Sequence, residues 1–301
     1  MPAMPGRAGL RHHEDMPELP EVTALATGLT ELMEGRRIAA ARLRSIGALK
    51  TYDPPLQALV GLTAGGWTRH GKFLDLTAGD LHLVIHLARA GWIQWRPRIK
   101  EASTSLRGPL ALQVEMDGGA GIDVTEMGTE KRLAVYVVRD PAADVPGITR
   151  LGVDVLDPAL DPATLATLMF GQRGQLKTVL ADQSLLAGVG NAYSDEILHA
   201  ARLSPFRRAD ALTGEEVQRL HAALLSVMTE AVERTRGLDI AALKPDKRQH
   251  LRVHGRTGET CPECGDTIRE VSLATRSFQY CPTCQTGGRV LADRRLSRLL
   301  R

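Results

Sequence analysis

The sequence predicts a multidomain α+β chain: a strand-rich domain that opens with a helix, a helical domain, and a small metal-clamped hairpin. Three observations carry this. Helical spacing of apolar residues occurs near the start and returns beyond residue 146; alternating segments fill the interval; and all four cysteines fall between 261 and 284 as two CxxC pairs. A chain of 301 residues suits two or three domains. With 43 % hydrophobic but only 4 % aromatic residues, the cores must be built mostly from Leu, Val and Ala.

Pattern changes along the sequence predict segments at residues 1–15, 16–145, 146–243, 244–286 and 287–301. The first segment, MPAMPGRAGLRHHED, has no apolar stretch of the kind a secretory signal needs and reads as a disordered or non-native extension. In the second, Val22, Leu25, Ala26, Leu29, Leu32 and Met33 mark one face of a helix. Pro20 is tolerated in its first turn and Gly35 ends it. FLDLT, LHLVIHL, LALQVEM and RLAVYVV then read as strands, with TAGD and DGGAG as turns. PAADVPG, residues 141–147, reads as a linker. Helices are predicted over 160–170, 175–185 and 192–201, and a long one begins at Thr213, with Glu216 completing a capping box. The stretch from Lys244 to Gly258 is polar and basic.

Charge is uneven. Net charge is +3, but the stretch from Lys244 to Arg301 has 12 Lys/Arg against 6 Asp/Glu, a net of +6. A basic end on a near-neutral body suggests an anionic partner, nucleic acid first among them. No run of about 18 apolar residues occurs, so no membrane span is predicted. Clustered cysteines fit a reducing cytoplasm better than a secreted disulfide framework.

Cys261, Cys264, Cys281 and Cys284 form two CxxC knuckles with sixteen residues between them, a spacing that closes a tetrahedral thiolate shell around one structural zinc. A thioredoxin-like redox pair would need a single CxxC at a strand-to-helix turn. Between the knuckles, IREV and SFQYC read as a hairpin, with Arg276 near the start of its second strand, placed to grip phosphate. Upstream, LLAGVGNAYSDEIL joins two helices through Gly188, Val189, Gly190 and Asn191. Glycines allow close backbone approach to an anion at a helix start, and Asn191 can add a side-chain amide; a ligand-free helical corner is the plain alternative.

One short stretch near the start completes the pattern. MPELPEV, residues 16–22, places a Met-Pro pair that looks like a start of translation inside the chain. Together, MPELPEV, GVGNAYSDEIL and the paired CxxC knuckles resemble the formamidopyrimidine-DNA glycosylase / endonuclease VIII family, over Met16 to about Gln285. The resemblance implies an N-terminal β-sandwich, a helix–two-turn–helix domain and a zinc finger, with double-stranded DNA as partner, oxidised bases excised and the strand cut at the abasic site. It implies that Pro17, freed by removal of Met16, is the nucleophile, and that residues 1–15 are an upstream misassigned start. An α-amino group has a pKa of about 8, so part of it is unprotonated near neutrality.

The same resemblance makes Glu18 the acid/base partner and Glu21 a supporting carboxylate. From residues alone, both are acidic side chains that a helix dipole favours near its start. Lys72, in RHGKFLDL, matches the lysine that contacts the phosphate beside the lesion; without the resemblance it is a hairpin-tip surface lysine. Asn191 and Arg276 match phosphate-gripping residues that hold a base out of the stack, with Gly190 in the same turn.

The chain departs from the family where a wedge fills the space left by the flipped base. HLARAG puts Arg89 where a methionine is expected, and DVTEMGTEKRL replaces a loop bearing Arg and Phe. Met127, Lys131 or Arg132 could substitute. Arg294, Arg295 and Arg298 in the tail could add DNA contacts, but packing or disorder is the favoured reading. The leading expectation is a bifunctional glycosylase and abasic-site lyase, favouring formamidopyrimidines and oxidised purines over oxidised pyrimidines. Its rivals are a non-catalytic binder of damaged DNA, which has no need of Pro17, Glu18 and Lys72, and a zinc-ribbon interaction module, which leaves MPELPEV and GVGN unexplained. A cytoplasmic, nucleoid-associated monomer is expected.

Overall fold

The computed structural model describes residues 16–100, 108–127, 130–272 and 277–292. Its backbone contacts divide the chain into two units, Met1–Thr149 with Thr235–Lys244, and Arg150–Arg234 with Pro245–Arg301.

The first unit opens with α1 (Leu19–Met33), followed by β1 (Ile38–Leu43), β2 (Ala64–His70), β3 (Phe73–Ala78), β4 (Leu81–His86), β5 (Gly91–Arg96), β6 (Leu110–Met116), β7 (Gly121–Glu126) and β8 (Ala134–Val138). They form two four-stranded antiparallel sheets, ordered β1-β6-β7-β5 and β2-β3-β4-β8. Strand alternation sends Leu74, Leu76, Leu83, Ile85, Val135 and Val137 of one sheet, and Leu112, Val114, Ile122 and Val124 of the other, into a single core. The predicted sandwich is therefore present. The predicted stripe of α1 joins that core through Val22, Leu25, Ala26, Leu29 and Met33, with Leu32 partly buried against it. Thr30 Oγ1 accepts the Trp67 N–H at 2.7 Å, fixing α1 along β2.

The stretch 141–147 is not a bare linker. It folds into α2 (Pro141–Asp144) and α3 (Pro146–Thr149). Asp140 caps α2 by accepting the N–H groups of Ala142 and Ala143, with Pro141 in the first turn. Gly147 lies against the Phe73 ring, so close that a Cβ there would sit 2.4 Å from Cζ.

The second unit contains β9 (Val153–Asp154), α4 (Pro162–Phe170), α5 (Leu176–Leu180), β10 (Leu186–Ala187), α6 (Asn191–Ala200) and α7 (Gly214–Thr235). After α8 (Leu243–His250), which begins in the first unit, come β11 (Arg269–Ser272), β12 (Ser277–Tyr280) and α9 (Pro282–Thr286). The box that starts α7 is formed: Thr213 N–H donates to Glu216 Oε2 at 2.9 Å and Glu216 N–H to Thr213 Oγ1 at 3.2 Å. The helix expected over 175–185 ends at Leu180. Asp182 Oδ1 takes both the N–H and the hydroxyl of Ser184, which turns the chain locally instead. The basic stretch after Lys244 is partly helical, as α8. Its Lys247 ammonium lies 4.9 Å from the Tyr193 ring centre, and its Asp246 accepts from Arg234 Nε at 3.0 Å. Among the described residues no helix is long and apolar enough to cross a membrane.

Candidate active site and metal centre

Helix α1 begins at Leu19 because Glu18, in extended conformation, serves as its N-cap. Glu18 N–H donates to Glu21 Oε2 at 2.8 Å, and the Glu18 carboxylate faces the Glu21 N–H in a reciprocal capping box. Pro17, Glu18 and Glu21 are all buried, with Glu18 only 1 % and Glu21 0 % exposed. Two carboxylates thus sit beside Pro17 at the positive end of the helix dipole, out of bulk water. Glu21 holds the Glu18 backbone, which fixes where the neighbouring proline points.

Lys72 occupies the two-residue turn between β2 and β3, where Gly71 takes a φ of +55° that favours glycine. At 9 % exposure it is not the solvated hairpin-tip lysine that residue type alone suggests. Arg69 fastens this turn to α1: its Nε donates to Thr23 Oγ1 at 2.9 Å and its Nη1 to the Gly71 carbonyl at 3.4 Å. Asp75 accepts from His70 Nε2 at 3.0 Å and His82 Nδ1 at 2.8 Å, bracing β2, β3 and β4 behind the turn.

His86 was not singled out by sequence reasoning, yet it belongs here. Its ring lies 4.5 Å from that of Phe73, and burial, with the nearby Lys72 charge second, pushes its pKa down to about 4. The imidazole therefore stays neutral beside the lysine. A folded pKa below the ordinary 6.5 means the unfolded chain binds a proton that the folded chain refuses. Stability should fall as pH drops from 6.5 towards 4 and be fully regained above 6.5, by up to about 3 kcal/mol. Urea melts at pH 7 and pH 4.5 should show a smaller acid penalty in His86→Phe than in the unaltered protein.

Arg89 lies in the corner between β4 and β5, where Ala88 adopts a φ of +52°. The Met127 N–H donates to the Ala90 carbonyl at 3.0 Å, so Met127 flanks that corner, and it is 50 % exposed. The other two wedge candidates are engaged locally. Lys131 Nζ donates to the Glu126 carbonyl at 2.5 Å, the Arg132 N–H donates to Glu126 Oε1 at 2.6 Å, and the Arg132 guanidinium pairs with Glu130 at 3.2 Å.

In the second unit the GVGN turn is clamped by one side chain. Gln183 Oε1 accepts the Gly188 N–H at 3.0 Å and its Nε2 donates to the Val189 carbonyl at 2.6 Å. Gly188 has a φ of +109°, open to glycine, and Gly190 is the N-cap of α6. The Asn191 amide donates to the Ser277 carbonyl at 3.0 Å, which ties the turn to the first residue of β12. Arg276 lies outside the described residues, as do Arg294, Arg295 and Arg298.

Beneath the turn runs a buried network that the sequence did not reveal. Lys177 Nζ donates to Asn191 O at 2.5 Å, Ser194 Oγ at 2.9 Å and Asp195 Oδ1 at 2.6 Å. Asp195 Oδ2 meets His254 Nδ1 at 2.6 Å and accepts the Gln279 N–H at 3.2 Å. The adjacent Glu196 accepts the N–H groups of Arg252, Val253 and His254 at 2.7, 3.0 and 2.8 Å. Burial raises the pKa of Glu196.

The four cysteine sulfurs lie within 4.8 Å of one another. A tetrahedral shell with Zn–S near 2.3 Å separates its sulfurs by about 3.8 Å. Cys261–Cys284 and Cys264–Cys281 stand at 3.9 and 3.3 Å, so the side chains fit one zinc ion. Burial pushes the Cys281 and Cys284 thiols up, a cost that four thiolates on a divalent cation offset. The β11–β12 hairpin and α9 hang from this centre, and Val253 and Ile268 pack against Cys261 and Cys281. The zinc is structural: all four positions are filled by protein sulfur.

Three family models match the chain in order. The formamidopyrimidine-DNA glycosylase N-terminal domain covers residues 16–127, the formamidopyrimidine-DNA glycosylase H2TH domain 151–240, and a zinc finger found in FPG and IleRS 258–287. A formamidopyrimidine-DNA glycosylase of Moorella thermoacetica is 34 % identical over 265 residues, 85 % of this chain and 94 % of that one. An uncharacterized formamidopyrimidine-DNA glycosylase-like protein of Mycobacterium tuberculosis is 57 % identical over 159 residues, 53 % of this chain and 99 % of its own. The Lactococcus lactis formamidopyrimidine-DNA glycosylase, solved bound to DNA containing an abasic site, has the same fold, with a TM-score of 0.78 at 22 % identity over 90 % of this chain and 100 % of that one. Order of domains, zinc ligands and full-length likeness agree, and the chain belongs to the formamidopyrimidine-DNA glycosylase family of DNA-repair N-glycosylases with abasic-site lyase activity.

Proposed function

We propose that this protein excises oxidised bases, formamidopyrimidines and oxidised purines foremost, from double-stranded DNA and cuts the strand by β,δ-elimination through Pro17. The observation that carries this is the buried Pro17-Glu18 pair at the start of α1, with the Lys72 turn fastened to the same helix by Arg69.

The chemistry follows from a secondary amine. The Pro17 nitrogen attacks the sugar C1′, and the base leaves with the electron pair of the glycosidic bond. Glu18 protonates the ring oxygen, the sugar opens, and an iminium ion forms between Pro17 and C1′. The iminium withdraws electrons, so a proton is lost from C2′ and the 3′ phosphate departs; loss of the 5′ phosphate follows. Water then releases the sugar fragment and the amine. An internal proline cannot begin this sequence, because its nitrogen is a tertiary amide. The working form must therefore begin at Pro17, after loss of residues 1–16.

Lys72, with neutral His86 beside it, contacts the phosphate next to the lesion. Gly190, Asn191 and Arg276 grip the DNA backbone, with the Asn191–Ser277 bond holding the turn against the strand that Arg276 precedes. Arg89 adds a cation near the lesion. Thiolate ligation of zinc fits a reducing compartment, so we place the protein in the cytoplasm with the chromosome.

The test is a duplex with one formamidopyrimidine or 8-oxoguanine. The expected product is a one-nucleotide gap flanked by phosphates. A single nick with an unsaturated sugar end would limit the reaction to β-elimination. Tight binding without release of any base would favour the non-catalytic reading. Binding should weaken steeply with salt, because phosphate contacts dominate.

A further inference from the structure

His199 and Cys261 are 62 residues apart in sequence and meet in the second unit, with Nε2 3.3 Å from Sγ. Both are buried, at 3 % and 1 % exposure. A zinc-bound thiolate carries no proton, so the imidazole is the donor and the sulfur the acceptor. Two of the other three knuckle sulfurs take donors from their own loops: the Asp266 N–H points to Cys264, and the Cys284 N–H to Cys281. Cys261 takes a side-chain donor from a helix outside the finger.

Four thiolates on Zn²⁺ leave a net charge of −2 on a partly buried shell. Hydrogen bonds donated to the sulfurs delocalise that charge and hold each ligand in place. The ring N–H that serves the metal is the one on Nε2, which faces the Cys261 sulfur at 3.3 Å.

We propose that His199 is an outer partner of the zinc centre, donating Nε2–H to the Cys261 thiolate and slowing loss of the metal. The role rests on the zinc reading of the four cysteines and is separate from the chemistry at Pro17. It makes His199 a positioning residue for a ligand.

The test uses the full-length zinc protein and the variants His199→Phe and His199→Gln. Metal analysis comes first: one zinc per chain is expected in all three, and its absence from the unaltered protein would sink the zinc reading itself. Zinc transfer to a chromogenic chelator should then be about tenfold or more faster in His199→Phe. His199→Gln, whose amide can still donate, should lie between. In cobalt-substituted protein, the sulfur-to-cobalt charge-transfer band should shift in His199→Phe and return towards its original position in His199→Gln. Far-UV circular dichroism of the zinc-loaded forms checks that α6 is intact. Should His199→Phe fail to fold, the cobalt band and release rate of His199→Gln against the unaltered protein decide the matter. Unchanged release and an unchanged cobalt band would overturn the proposal, and so would identical behaviour of the two variants.

Discussion

Protein that begins at Pro17 is expected to cut abasic-site DNA, and the same chain carrying residues 1–16 is expected not to. The difference lies in one nitrogen. With a residue attached, the Pro17 nitrogen shares its lone pair with a carbonyl and cannot attack a sugar carbon. Freed, it is a secondary amine, and α-amino groups ordinarily titrate near about 8, leaving part of them unprotonated at neutral pH. The surroundings favour the free form's chemistry: Glu18 is 1 % exposed at the cap of α1, and Glu21 holds its backbone N–H at 2.8 Å. Glu18→Gln keeps a carbonyl oxygen to cap the helix but removes the transferable proton. Base excision in that variant should fall by about 10² to 10⁴, while thermal stability changes little. Incision timed on abasic and 8-oxoguanine duplexes, with the extended chain, the trimmed chain and trimmed Glu18→Gln side by side, checks both expectations.

Lys177→Met should be the most destabilising single change in the second unit. Lys177 is 6 % exposed and Asp195 1 %, and their ion pair is 2.6 Å long. Removing only the cation leaves a buried carboxylate beside the Glu196 carboxylate, at a cost of roughly 3–5 kcal/mol. For a unit of this size the melting temperature should fall by on the order of 10 °C. The change also takes the ammonium off the Asn191 carbonyl, leaving only the weaker Ser194 hydroxyl bond there, so affinity for abasic DNA should drop with stability. Adding Asp195→Asn should recover part of the loss. The buried charge is gone, and the amide oxygen still accepts the Gln279 N–H that now meets Asp195. Calorimetry of the single and double variants measures both effects.

Legibility in the sequence followed the range of the interaction. The zinc ligands were readable because CxxC spacing is set by local chain geometry, and the four sulfurs do converge. Helix α1 was readable because its apolar residues repeat every three to four positions on one core-facing stripe. The helix over 175–185 was read too long because apolar Leu185 and Leu186 continue its pattern, whereas Asp182 and Gln183 use their side chains to build the turn. Helix α8 was hidden because LKPDKRQH lacks an apolar stripe; a ring contact to Tyr193 and the Arg234–Asp246 pair support it instead.

The residues proposed for catalysis were legible only by resemblance to a family. Without it, Glu18 and Lys72 look like ordinary surface charges, and only the fold shows both buried. Residues joined across long separations gave no signal. Lys177 and Asp195 are 18 positions apart, Asp195 and His254 59, and His199 and Cys261 62. Each is a common residue in an unremarkable setting until the chain folds.

In the proposed reaction the Pro17 nitrogen becomes covalently joined to the sugar. The direct measurement is borohydride reduction during reaction with abasic-site duplex DNA, using protein that begins at Pro17, followed by peptide mapping of the crosslink. Reduction converts the iminium to a stable amine, and the DNA fragment should be found on the peptide that starts Pro17-Glu18. A crosslink on Lys72 or another lysine, or incision with no trapped complex at all, would rule out Pro17 as the nucleophile.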